Sequence, residues 1–344
     1  IIVPGFLGSS LHDPSTWVGP SEIWLNPVRL AAGGFNRMRL AVPGEPAPPP
    51  AGAALEGGTP ISAYYSLLAG YLVFRGWDVN FVTADFRQAM SHDAAILAAK
   101  IRTLSATAPV QIIAHSRGGL VARTAIAQLA AAGLTGLVSR VITLGTPHTG
   151  SLEAVATIAC FGGTKLKLER LNDAIPQWLG SWLGTGEVRS TLRSWPALYE
   201  LLPAPSASWL TAQTVAQLYL PATYSNDTFV PVPQYLADAL AAWNNLPPMA
   251  SGIDWIDVAG IGLGTYDGVD ASAGVSDPSV FSTSLDGDAT VPFKSAHPGG
   301  NRLVSVPCNH DLLPQDGRLW PVLHQALTAG LPADVVIGGA VLTI

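Results

Sequence analysis

Val110-Gln111-Ile112-Ile113-Ala114-His115-Ser116-Arg117-Gly118-Gly119 runs from an apolar stretch, through a tight turn of small residues, into a second apolar stretch. The first stretch is short and β-branched, so it reads as a strand buried on both faces. The second, 120–132, is rich in Ala and stops at Gly133, which marks a helix with a glycine end. A Ser on a sharp turn between strand and helix has its hydroxyl lifted above the sheet edge, in the position of a nucleophile. Such a turn tolerates only small residues two places either side of the Ser, and Ala114 and Gly118 stand there. The following helix points the positive end of its dipole at any negative charge that develops on the hydroxyl.

The same alternation extends outward from this turn. Apolar strand segments at 1–4, 79–82 and 139–144 alternate with helical periodicity at 64–77, 93–107 and 120–132. Strand signals return at 253–259 and 302–306, a closing helix covers about 317–329, and the apolar end at 335–344 reads as a strand. Short apolar strands alternating with longer helices predict βαβ units and a mostly parallel sheet covered by helices on both faces. Two stretches break the rhythm. Residues 10–60 are rich in Gly and Pro and read as a long irregular excursion. Residues 151–250 hold mixed helices, many turns and half of the ten tryptophans: Trp178, Trp182, Trp195, Trp209 and Trp243. The expected organisation is a core over 1–150, a helical cap inserted at 151–250, and the rest of the core over 251–344. The cap aromatics either pack the cap's own core or line an acyl pocket.

Composition narrows the class. The 344 residues are 48% hydrophobic and 12% charged, with a net charge of −6, and the mean hydropathy is +0.32. Such a chain buries a large core or exposes apolar surface to a ligand. It offers no basic face to neutralise phosphates, which argues against nucleic acid as a partner. No run reaches the length of a spanning helix. The chain opens inside a strand without Met, so an upstream segment is expected that was either processed or lies outside this sequence. A secreted or extracytoplasmic location is expected, although no leader in the sequence carries it. Two cysteines, Cys160 and Cys308, are too few for a disulfide framework and leave open one bridge or two buried thiols. Zinc-type ligand spacing is absent, and Asp286-Gly287-Asp288 lacks the further spaced carboxylates of a calcium loop. No cofactor and no metal is expected.

A Ser nucleophile needs a neutral imidazole as base and a carboxylate to fix that imidazole's tautomer. In this kind of sheet they follow the Ser in the order acid, then His. Of seven histidines, His310 lies just past the last long strand and before the closing helix, where a base must hang to reach the turn. His297 is the alternative, and His115, inside the turn, is expected to point away from Ser116. For the acid, Asp288 precedes a short β-like stretch, with Asp286 as the alternative. A tetrahedral intermediate also needs two backbone donors. Arg117 N–H follows the nucleophile, and Phe6 N–H lies in the loop Pro4-Gly5-Phe6-Leu7-Gly8 after the first strand.

Six segments together resemble the lecithin:cholesterol acyltransferase family of lipases, phospholipases and acyltransferases. They are Pro4-Gly5-Phe6-Leu7-Gly8-Ser9, Asp85-Phe86-Arg87, Ala114 to Gly119, Gly145-Thr146-Pro147-His148-Thr149-Gly150, Ser194-Trp195-Pro196-Ala197-Leu198-Tyr199-Glu200-Leu201-Leu202-Pro203, and Gly287-Asp288-Ala289-Thr290-Val291-Pro292. Ile23-Trp24-Leu25-Asn26-Pro27 matches a seventh. They run in the family's order across nearly the whole chain. The resemblance implies an α/β-hydrolase fold with a helical cap over an acyl-binding track. It implies Ser116, Asp288 and His310 as a catalytic triad and Phe6 and Arg117 as oxyanion donors. Leu7, Trp24 and Trp195 are expected to contact substrate. Phe86 stands where the family usually has Trp, and Arg117 where Met is common. The implied substrate is an ester or lipid, met at a lipid interface or in solution. Hydrolysis is the leading expectation, with acyl transfer or depolymerisation of an aliphatic polyester as alternatives. A non-catalytic binding protein on the same scaffold would lack a triad member, and none is missing.

Overall fold

The computed structural model describes residues 1–14, 22–24, 26, 29–30, 34–45, 55–159, 190–224 and 230–343. In chain order the elements that position the site begin with β1 (Ile2–Val3), β2 (Ser9–His12), β3 (Glu22–Trp24) and β4 (Glu56–Pro60). Next come α1 (Ser62–Phe74), α2 (Met90–Leu104), β5 (Val110–His115), α3 (Arg117–Ala131), β6 (Val138–Leu144) and α4 (Leu152–Ala159). The chain closes with α5 (Pro233–Asn245), β7 (Asp254–Ile261), β8 (Thr265–Val269), β9 (Phe281–Ser284), β10 (Arg302–Pro307), α6 (Leu319–Ala329) and β11 (Val335–Val336).

Six strands form one sheet in the order β1-β5-β6-β7-β10-β11, and every pairing in it is parallel. The centre of the sheet is apolar on both faces. Ile112 and Ala114 of β5 face one core cluster, which contains α2 and α3 residues, and Ile113 faces another with Leu68 and Leu323. Helix α2 buries Met90, Ala94, Leu97, Ala98 and Ile101, a stripe at helical spacing, against α3. Each such Leu or Ile contributes roughly 1.5–3 kcal/mol of transfer free energy. With helices on both faces of a parallel sheet and a strand–turn–helix at Ser116, the chain has the α/β-hydrolase fold.

The structure corrects three expectations. The excursion is not wholly irregular: β2, β3 and β4 form an antiparallel sheet in the order β3-β2-β4. Leu11, Ile23 and Trp24 join Leu30, Phe35, Phe86 and Trp195 in a core of their own, a pattern that the intervening Gly and Pro hide in the sequence. The segment 79–82 is held to β1 by hydrogen bonds from Ile2 N–H to Asn80 O and from Val82 N–H to Ile2 O, but it forms only one bridge, at Phe81. The apolar C-terminal run shrinks to Val335–Val336 and a bridge at Leu342, because Gly338 and Gly339 interrupt it. The antiparallel pair β8–β9 has no counterpart among the predicted strands.

Between β6 and β7 the chain leaves the sheet, and α4 and α5 pack with the short helix Pro196–Tyr199. Trp178, Trp182 and Cys160 lie outside the described residues. Cys308 is a buried thiol. No described helix is long and apolar enough to cross a membrane.

Candidate active site

Ser116 sits between the end of β5 and the start of α3 with φ 54° and ψ −129°, a region that side chains rarely adopt. Holding it there costs of order 1–3 kcal/mol, which the packed strand and helix on either side must offset. The turn closes so tightly that a Cβ on Gly118 would stand 2.6 Å from Val3 O. This is the physical reason for the small residue two places after the Ser.

His310 and Asp288 come from loops following β10 and β9, and His310 stands between Asp288 and Ser116 beyond the carboxyl end of β5. His310 Nε2 lies 2.8 Å from Ser116 Oγ, and His310 Nδ1 lies 2.7 Å from Asp288 Oδ2. A carboxylate only accepts, so Nδ1 carries the proton and Nε2 is left to accept from the Ser hydroxyl. Asp288 is fully buried. Its other oxygen accepts from Thr290 N–H at 3.0 Å and Val291 N–H at 2.7 Å, which locks the carboxylate plane. His310 N–H also donates to Asp288 O at 3.0 Å, so the two loops are tied by backbone as well as side chain. Asp286 stays outside this arrangement. Among the described residues no group of three or more His, Cys, Asp or Glu is placed to hold a metal ion.

The remaining predicted residues divide into those on the cavity wall and those behind it. Phe6 and Leu7 line the cavity that contains Ser116 and His310, together with Ala154, Leu198, Leu201 and Val291. Gly8 N–H donates to Gly5 O, which closes a turn in which Leu7 takes φ 64°. Trp24 and Trp195 are not on that wall. Trp24 is buried, and its indole N–H donates to Leu7 O at 3.1 Å. Trp195 is buried, donates to Met38 O at 2.8 Å, and meets Phe6 and Phe86 edge-on. Both therefore back the Phe6–Leu7 turn from the core side. Of the other described tryptophans between 151 and 250, Trp209 donates to Thr149 Oγ1 and Trp243 packs into the main core, so neither is on the cavity wall.

Arg117 opens α3, where a backbone N–H has no partner within the helix. Its side chain turns away from the cavity toward Asp93, Gln88 O (2.8 Å) and Glu200 (3.7 Å). A guanidinium is tolerated in this buried position because counter-charges were built around it. Burial pushes the Glu200 carboxyl up to about 7, with Arg117 pulling in the opposite direction.

Several supporting residues have roles that the linear sequence does not mark. Thr146 Oγ1 donates to Ser116 O at 2.9 Å, fixing the Ser116 carbonyl. His148 and His297 both hold Asp257, at 3.2 Å and 3.0 Å. Burial would raise the Asp257 carboxyl, but the hydrogen bonds from His148, His297 and Asn301 outweigh it and hold it well below the usual carboxylate range. Asp85 and Arg87 form a buried bidentate pair, and Arg87 also donates to Met38 O. The motifs flagged Thr146, His148, Asp85 and Arg87 as matching segments, but gave no partner for any of them. Asp257, and Tyr65 on the cavity wall, carry no motif signal at all.

No family model matches the chain, and no curated protein matches it, so the family resemblance rests on the quoted motifs. Among solved structures the chain is similar to the Bacillus licheniformis lipase BlEst2. For the propeptide form the TM-score is 0.46 at 19% identity, over 81% of this chain and 50% of that one. For the mature form the TM-score is 0.45 at 20% identity, over 78% of this chain and 86% of that one. The chain thus spans about half the length of the propeptide form.

Proposed function

We propose that this protein is a serine hydrolase of carboxylic esters that works through an acyl-enzyme on Ser116. The observation that carries the proposal is the line Ser116–His310–Asp288, with links of 2.8 Å and 2.7 Å, on the wall of an apolar cavity. In this reading the Ser116 hydroxyl attacks the ester carbon while His310 Nε2 takes its proton. Asp288 stabilises the imidazolium that results. The oxyanion meets the Arg117 N–H at the start of α3 and the Phe6 N–H of the strained turn. His310 then returns the proton to the leaving alkoxide, the alcohol departs, and the acyl group stays on Ser116 Oγ. Water, deprotonated by His310, attacks the acyl carbon; the bond from that carbon to Ser116 Oγ breaks, His310 returns the proton to Oγ, and the acid leaves. An alcohol in place of water gives transfer instead, by the same chemistry. Residues 151–250 serve as the cap, with Ala154, Leu198 and Leu201 bounding the acyl chain.

A fluorophosphonate should label the wild type at Ser116 and leave Ser116→Ala unlabelled. Against p-nitrophenyl esters the variant should retain on the order of 10³-fold acceleration over water, from binding and oxyanion contacts alone. Labelling at another serine would overturn the assignment.

A further inference from the structure

Behind the triad runs a second, buried hydrogen-bonded chain that the hydrolytic steps do not use. Gly5 N–H donates to Tyr65 Oη at 3.0 Å. Tyr65 Oη lies 2.9 Å from His115 Nδ1, and His115 Nε2 lies 3.0 Å from His310 O. Tyr65 is 1%, His115 5% and His310 3% exposed, so these groups are largely withdrawn from bulk water and depend on one another as partners. The directions of the bonds follow from the end groups. A carbonyl oxygen only accepts, so His115 Nε2 carries the hydrogen. Burial, and then the neighbouring His310, push the His115 imidazole down to about 3, so it is neutral and its Nδ1 is bare. That nitrogen accepts the Tyr65 hydroxyl proton, and the Tyr65 oxygen accepts from Gly5. Every donor in the chain has one acceptor.

The two ends of this chain are the two parts that the proposed reaction must keep in register. Gly5 immediately precedes Phe6 in the loop proposed to supply an oxyanion donor. The far end is the backbone carbonyl of His310, whose N–H is already tied to Asp288 O at 3.0 Å. His115 is also the chain neighbour of Ser116, and its ring lies 5.1 Å from the His310 ring. We infer that Tyr65 and His115 are positioning residues that fix the His310 backbone relative to Ser116 and couple it to the oxyanion loop. This rests on the ester-hydrolase reading for its effect on turnover, but the positioning itself does not depend on the substrate. A His before the nucleophile thus does its work through its neighbours and not at the reacting atoms.

The test compares wild type, Tyr65→Phe, His115→Phe and the double variant in two measurements. One is kcat and KM on a p-nitrophenyl ester. The other is the proton resonance of His310 Nδ1–H, which reports the His310–Asp288 geometry whether or not the protein turns over. Each single variant should lower kcat about tenfold or more while KM stays within about twofold. The double variant should be no worse than the poorer single one, because both break one chain. The His310 resonance should shift or broaden in each. If Tyr65→Phe does not fold, His115→Phe, which leaves the Gly5–Tyr65 bond in place, carries the same readings. A folded variant with kcat within twofold of wild type and an unmoved resonance overturns the inference, as does full additivity in the double variant. A wild type inert towards every ester, with a His310 resonance that still moves on Tyr65→Phe, upholds the positioning role and overturns the ester reading.

Discussion

His297 Nδ1 lies 3.0 Å from Asp257 Oδ2, so the alternative base is committed to a carboxylate other than Asp288. Asp257 in turn accepts from Thr143 and Asn301, which places this cluster behind the Gly145–Gly150 loop. His310→Ala is expected to lower kcat by about 10⁴- to 10⁶-fold, whereas His297→Ala should leave it within a few-fold. The hydrogen bond to Asp257 raises the His297 imidazole above its ordinary 6.5. Its stabilising effect is therefore complete below that value and fades as pH rises through the folded-state pKa. The melting temperature lost on His297→Ala should accordingly be larger at pH 5.5 than at pH 9. Equal losses at both pH values, or loss of turnover in His297→Ala, would contradict this division of roles.

Gly145 has φ 59°, and a Cβ there would stand 2.9 Å from His310 Nδ1 and 3.0 Å from Asp288 Oδ2. Gly145→Ala therefore combines backbone strain with a wedge between His310 and Asp288. The strain should cost roughly 1–2 kcal/mol of stability. Displacing the imidazole should lower kcat by about 100-fold with little change in KM. Denaturant unfolding and steady-state kinetics on the same preparation check both. A variant that lost stability but kept kcat would show that the loop yields instead of the triad.

The sheet and the triad candidates were legible in the sequence because each rests on a local signal. The run Val110 to His115 is continuously apolar, Ser116 has small residues at the required offsets, and His310 follows a strand. What was not legible depends on contacts between distant segments. The site residues Tyr65 and His115 are 50 positions apart, and Tyr65 sits in a helix whose pattern shows only an apolar stripe. Trp24 and Trp195 were expected to touch substrate because large aromatics in matching motifs suit an acyl track. Their indole N–H groups instead serve the carbonyls of Leu7 and Met38, and nothing in the linear sequence names a carbonyl as partner. The small sheet of β2, β3 and β4 escaped for the same reason, since its strands are short and its pairings long-range.

Asp93 and Glu200 share one guanidinium, that of Arg117, with Met90 N–H as a further donor to Glu200 at 2.6 Å. One proton on the pair leaves a neutral buried cluster, which is why burial can push Glu200 from 4.5 to about 7. Folded Glu200 keeps its proton to higher pH than the unfolded chain does. Between about 4.5 and 7 the folded state binds more protons, so this group's contribution to stability falls as pH rises. Glu200→Gln keeps an acceptor for Met90 N–H and removes the titration. Relative to wild type its melting temperature should be unchanged near pH 4.5 and higher at pH 8, by on the order of a few degrees. A variant less stable than wild type at pH 8 would mean that ionised Glu200 is a net stabilising partner of Arg117.

The cavity wall at Ser116 carries Phe6, Leu7, Ala154, Leu198, Leu201 and Val291, so an acyl chain placed there leaves water for apolar contact. Each buried methylene is worth at most about 0.8 kcal/mol, or roughly fourfold in kcat/KM. On p-nitrophenyl esters from about C2 to C16, kcat/KM should climb with chain length and then level off where the wall ends. Because the described tryptophans Trp195, Trp209 and Trp243 are not on that wall, replacing partly buried Trp209 by Phe should lower stability and leave the chain-length profile in place. Leu201→Trp narrows the wall and should move the optimum to shorter chains, while kcat on the acetate ester stays within a few-fold. A flat profile in the wild type would remove the acyl track from this face of the sheet, and a small or polymeric ester would then suit the site better than a lipid.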